Sequence, residues 1–93
     1  MLRSMQNIDA LPDAGQVRAA RGMLGWSQGD LSEHSKVSLS TVRDFEAGRR
    51  QPMHQNLQAI RVALEAAGVE FIPENGGGAG VRRKKAGMVS GGP

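Results

Sequence analysis

Two helix-start signals lie eleven residues apart in the middle of this chain, at Ser27 and Ser38. Ser27 is followed three residues later by Asp30, the spacing of a capping box in which two side chains satisfy the first amides of a helix. A helix that begins at Ser27 must therefore be short, end near Ser35 and turn at once into the helix capped by Ser38. The pattern predicts two short helices and a tight turn that leaves the first turn of the second helix exposed.

Two further helical segments flank this pair. Asp13 and Gln16 have capping-box spacing at the start of the first, which Gly25 ends. The longest segment ends at Gly68 and repeats apolar residues along one helical face, which predicts a core stripe of Met53, Leu57, Ile60 and Leu64.

The C-terminal part changes character. Residues 69–72 read as a strand, glycines at 76–78 as a turn, and residues 81–83 as a returning strand. We therefore expect a flexible arm over 1–12, a helical domain over 13–68, a hairpin extension over 69–83 and a disordered tail over 84–93.

The net charge of +3 in 93 residues comes entirely from residues 74–93. Residues 1–73 carry eight Lys/Arg and eight Asp/Glu, whereas residues 82–85 are four consecutive cations. Total charge thus predicts only a basic tail. The chain has no cysteine, which excludes disulfides and thiol chemistry, and no apolar run or leader pattern, so a cytoplasmic protein without a membrane partner is expected.

The helix that starts at Ser38 has a polar outward face. Val42 and Phe45 would point to the core, and the remaining side chains would lie outside: Ser38, Leu39, Ser40, Thr41, Arg43 and Asp44. Small hydroxyls permit close approach to a DNA groove, and Arg43 can bind guanine O6 and N7 together. Leu39 can contact a thymine methyl. Asp44 can accept a hydrogen bond from a cytosine amino group or orient Arg43. Arg49 and Arg50 in the next loop suit phosphate contacts, as does Gln28 at the preceding helix start.

The stretch from Gln16 to Leu64 resembles the Cro/C1-type, or xenobiotic-response-element, helix-turn-helix regulators. The resemblance is carried by Val-Arg-x-x-Arg-x-x-Leu-Gly-Trp-Ser-Gln-x-x-Leu and by Val-Ser-x-Ser-Thr-Val-x-x-Phe-Glu-x-Gly-Arg-Arg-x-Pro. It implies an all-α, lambda-repressor-like domain of four to five helices, here with a short C-terminal β-hairpin, that binds double-stranded DNA as a homodimer on an inverted repeat.

The resemblance also implies a role for each matching residue. Arg21 and Glu46 match an ion pair between the first helix and the end of the third. The base-reading positions are Ser38, Leu39, Ser40, Arg43 and Asp44, and the phosphate contacts are Gln28, Thr41, Arg49 and Arg50. Four residues depart from the family pattern. Ser32 replaces a small apolar residue and Lys36 a turn glycine, and Met53 and His54 stand where the family tends to have a serine cap and a leucine.

Other functions are weaker interpretations of the same residues. The hairpin, through its edge and Val69, Phe71 and Val81, could pair with a second copy or with the toxin partner of an antitoxin. His34 and His54 lack the spacing of a metal site, and no acid, base and nucleophile converge, so we expect neither a metal nor an enzyme. No cofactor or small-molecule effector is implied.

Overall fold

The computed structural model describes residues 11–74 and 76–85. The elements follow one another as helices α1 (Ala14–Leu24), α2 (Gln28–Ser35), α3 (Leu39–Glu46) and α4 (His54–Ala66), then strands β1 (Val69–Ile72) and β2 (Gly80–Arg83). Helix α2 packs on α3 and α4, and α1 packs on α3 and on the two strands. This arrangement confirms the expected fold class, a helix-turn-helix fold of four helices with a C-terminal hairpin.

The helix starts follow the sequence signals. Asp13 and Gln16 form the capping box of α1, and Ser27 and Asp30 form that of α2. Ser38 caps α3 by accepting from the Thr41 amide at 3.2 Å. These bonds satisfy amides that have no partner inside the helix, which is why the starts of α1, α2 and α3 lie where the sequence predicts them.

The turn between α2 and α3 is held by serine side chains. Lys36 occupies the left-handed region with φ 66°, the position at which a glycine would be unstrained. The Ser32 hydroxyl donates to the Val37 carbonyl at 2.6 Å, and Ser35 Oγ accepts from the Val37 amide at 3.2 Å. Ser32 thus closes the turn, which gives a physical reason for a polar residue there.

The core lies where the four helices and β1 meet. In the part of the chain that the structure describes, ten apolar side chains are buried. They come from every element except β2 and include one turn residue: Val17, Ala20, Leu31, Val37, Val42, Phe45, Leu57, Ile60, Leu64 and Val69. The prediction for Met53 was wrong, because its side chain is 64% exposed. Met53 is the N-cap residue of α4, one position before the helical geometry that would turn it toward the core.

The hairpin is part of the domain rather than an appendage. Its strands are antiparallel, with Phe71 opposite Val81, and both side chains pack against the core. Gln16 Nε2 in α1 donates to the carbonyls of Gly80 at 2.8 Å and Ile72 at 3.4 Å. The Lys84 amide donates to the Gly68 carbonyl at 2.9 Å. Long-range bonds therefore position the hairpin against α1 and the end of α4.

Residues 1–10 of the predicted arm and 86–93 of the predicted tail lie outside the described residues. Leu11 packs against the core and Pro12 is buried. Within the described ranges, no helix has both the length and the apolar character needed to cross a membrane.

Candidate nucleic-acid interface

Helix α3 presents one face to the core and the other to solvent. Val42, Phe45 and Glu46 are buried, whereas Ser38, Ser40 and Arg43 are exposed. Half-buried residues border the exposed face: Leu39, Thr41 and Asp44. The structure therefore gathers all the predicted base-reading residues on the exposed side of α3 or at its edge.

The hydroxyls at the start of α3 bond to each other. Ser38 Oγ donates to Thr41 Oγ1 at 2.9 Å while it caps the Thr41 amide, and Ser40 Oγ lies 3.4 Å away. Ser38 thus holds the helix start in place and is itself exposed. The exposed first turn is a compact polar surface with small side chains.

Arg43 is the exposed cation on this face. Among residues 11–74 and 76–85 it makes no ion pair. A guanidinium in this state can bind the two acceptors of a guanine edge without first leaving a protein partner.

A Schellman motif ends α3 and positions the loop cations. Gly48 is left-handed with φ 76°, its amide donates to the Phe45 carbonyl at 3.0 Å, and the Arg49 amide donates to the Asp44 carbonyl at 2.9 Å. Arg49 Nη1 also donates to Asp44 Oδ1 at 3.1 Å. Sequence reasoning assigned Asp44 and Arg49 separate roles and did not foresee that they pair. Arg50, the next residue, is exposed.

A buried carboxylate joins α1, α2 and α3. The Glu46 side chain is 2% exposed and accepts from Arg21 Nε and Nη2 at 2.7 and 2.6 Å. Gln28 Nε2 donates to the same carboxylate at 3.0 Å, and Arg18 Nη1 donates to the Glu46 carbonyl at 2.6 Å. The hydrogen bonds from Arg21 to Glu46 raise the pKa of the Arg21 guanidinium, against an opposing effect of burial. The network fixes α3 relative to the start of α2.

Arg18 is the member of this network that sequence reasoning missed. It lies three residues before Arg21, so both arginines lie on neighbouring turns of one side of α1. That spacing was the available signal. The acceptor of Arg18 is a backbone carbonyl, however, and a carbonyl carries no residue-specific pattern.

The described residues contain no cluster of three or more His, Asp or Glu side chains that could hold a metal. His34 stacks on Trp26 with ring centroids 4.2 Å apart, and its Nδ1 lies 2.9 Å from the Asp30 carbonyl. His34 therefore has a packing role at the surface of α2.

The family model described as helix-turn-helix matches residues 17–69, more than half of the chain. The match runs from α1 to the first residue of β1 and includes every residue of the interface described above. A comparison with curated proteins gave no match.

Proposed function

Because this chain belongs to the Cro/C1-type helix-turn-helix family of DNA-binding regulators, we propose that it is a sequence-specific transcriptional repressor. It binds double-stranded DNA as a homodimer on an inverted repeat, with α3 in the major groove of each half-site. Occupation of the operator would exclude other proteins from the same DNA.

The observation that carries this proposal is the exposure of the first turn of α3. A major groove about 12 Å wide admits one helix whose outward side chains are short near the DNA. Ser38 and Ser40 meet that requirement at the helix start, and Arg43 lies one turn later on the exposed side. On the opposite side of the helix, the buried Val42 and Phe45 pack into the core.

Each side chain then has a defined task in the complex. Arg43 reads guanine, Leu39 lies against a thymine methyl, and Asp44 accepts from a base amino group. Ser38 and Ser40 bond base edges at the helix start. Phosphate contacts position the protein without specifying sequence and come from Gln28, Thr41, Arg49 and Arg50. Gln28 Nε2 has two N–H groups, so the one that does not bond Glu46 at 3.0 Å can donate to a phosphate.

The antitoxin alternative rests on the hairpin. Val69 is fully buried, and Phe71 and Val81 pack against the same core. These side chains stabilise the domain itself, so less of their apolar surface is left for a protein partner. The regulator function therefore has the better support.

Selection of bound duplexes from a random pool, at a stated salt concentration, tests the proposed function. We expect a palindromic consensus whose half-sites are about one helical turn apart, with two chains per duplex by native mass spectrometry. A pool that stays random after repeated selection would overturn sequence-specific recognition. A non-palindromic consensus bound by one chain would overturn the homodimer.

A further inference from the structure

Two hydrogen bonds join Asp44 and Arg49 at the edge of the exposed face of α3, the reading face, which carries Ser38, Ser40 and Arg43. The backbone bond of the Schellman motif places Arg49 over Asp44 at 2.9 Å, and the side chains meet at 3.1 Å. Gly48 makes this possible, since its φ of 76° turns the chain back over the last turn of α3. The juxtaposition is therefore built into the helix end.

The pair contributes little to folding. The side chains of Arg49 and Asp44 are 68% and 33% exposed, and solvent screens ion pairs of this kind. Two opposite charges that are weakly coupled in the free protein can separate at low cost when another charged surface approaches.

DNA is such a surface, and it acts on the two residues in opposite ways. Phosphates attract Arg49 and repel Asp44. If Arg49 moves to a phosphate, the Asp44 carboxylate is left without its partner beside a polyanion. Where contact with the duplex removes the water around Asp44, an unpaired carboxylate is costly. A donor from the DNA, such as the exocyclic amino group of cytosine or adenine, can then take the place of the guanidinium.

We propose that the Asp44–Arg49 pair makes phosphate binding by Arg49 conditional on a base amino group near Asp44, so that Asp44 determines specificity by penalising duplexes without one. The inference rests on the proposed function and deepens it. Arg49 then binds phosphate only on duplexes that offer a base amino group to Asp44, whereas Arg50 binds phosphate on any sequence.

The test measures affinity and salt slope on the selected duplex and on a random-sequence duplex. In Asp44→Ala, Arg49 is released, so we expect severalfold tighter binding of random duplex and a salt slope steeper by about 0.9, the value for one added phosphate contact. The ratio of specific to random affinity should fall. In the Arg49→Ala background, the same Asp44→Ala change should leave the salt slope where it was.

Glu70→Ala is the matched control. It removes one carboxylate from another exposed ion pair, with Arg82 at 2.6 Å, on the hairpin that packs on α1 and α4. This variant should leave the specific-to-random ratio unchanged.

Three results would overturn the inference. The first is an unchanged ratio in Asp44→Ala while the wild-type chain still selects its duplex. The second is an equal rise in random affinity with and without Arg49, which would indicate simple charge repulsion. The third is an equal effect of Glu70→Ala. Failure of the wild-type chain to select any duplex would instead remove the proposed function, and this inference with it.

Discussion

Arg21 and Glu46, twenty-five residues apart in sequence, form a bidentate ion pair that joins α1 to the last residue of α3. Arg21 Nη1 also donates to the Trp26 carbonyl at 3.0 Å, so one guanidinium organises the loop before α2 as well. Its side chain is 19% exposed and that of Glu46 2%. A carboxylate this deeply buried depends on its partner for stability.

Arg21→Met should therefore destabilise the protein by about 3 kcal/mol, because the buried Glu46 side chain would lose its cation and two of its hydrogen-bond donors. Chemical denaturation would measure the change in the free energy of unfolding. The double variant Arg21→Met/Glu46→Met is the control and should lose less than the sum of the single variants. Additive losses would show that the pair is not coupled.

The pH dependence of this pair follows from the raised pKa of Arg21. A cation whose pKa is higher in the folded than in the unfolded state contributes its stability fully below the unfolded pKa and loses it as pH rises through the folded one. Both values lie far above neutrality. Chemical denaturation should accordingly give the same stability difference between wild type and Arg21→Met at neutral and mildly alkaline pH. A difference that shrinks over this range would contradict the raised pKa of Arg21.

Arg43→Ala and Arg50→Ala remove the same charge from two exposed positions, so each is a control for the other. We expect Arg43→Ala to lose about 1–3 kcal/mol of discrimination at one base pair of the operator. Arg50→Ala should weaken all duplexes alike and reduce the salt slope by about one. Competition binding on single-base operator variants separates the two effects. Wild-type binding by both variants would show that the reading face has been assigned wrongly.

Lys36→Gly should raise the free energy of unfolding by about 0.5–1 kcal/mol. The residue has φ 66°, where a β-carbon is strained, and glycine removes that strain while adding some unfolded-state entropy. Lys36→Ala removes the same charge but keeps the β-carbon, so it should bring no gain. A stabilised alanine variant would assign the effect to charge.

Met53→Ser should stabilise α4 by about 1 kcal/mol. Met53 has the extended geometry of an N-cap residue, φ −61° and ψ 150°, but makes no side-chain cap bond. Its exposed side chain gives up little packing. Thermal denaturation of Met53→Ser beside Met53→Ala isolates the contribution of the hydroxyl, and equal melting temperatures would rule out a capping effect.

Local signals in the sequence were sufficient for most of the helix boundaries. The capping boxes at Asp13 and Ser27, the cap at Ser38 and the glycines at 25 and 48 act within a few residues, so their spacing is visible in the chain. The wrong prediction at Met53 also came from a local pattern, the repeat of apolar residues. A repeat of apolar residues does not show where the helix begins, and at the cap position the backbone no longer follows the helical period.

The candidate site was predictable as a face but not as a set of contacts. Val42 and Phe45 were placed inside from their period, which left the polar residues of α3 outside. The ion pair of Arg21 with Glu46 was implied by family resemblance alone. The contact of Arg18 with a backbone carbonyl was missed, because a carbonyl has no signature in the sequence.

The sequence by itself determined the order of the helices, the N-caps of the first three and the side of α3 that faces solvent, since capping and amphipathic periodicity act over a single turn. Only the tertiary structure decided that Gln16 hydrogen-bonds the hairpin and that Glu46 links α1, α2 and α3. It also decided that Asp44 pairs with Arg49. Those contacts depend on the packing of elements that are distant in sequence and on the left-handed turn at Gly48. Periodicity carries no information about either.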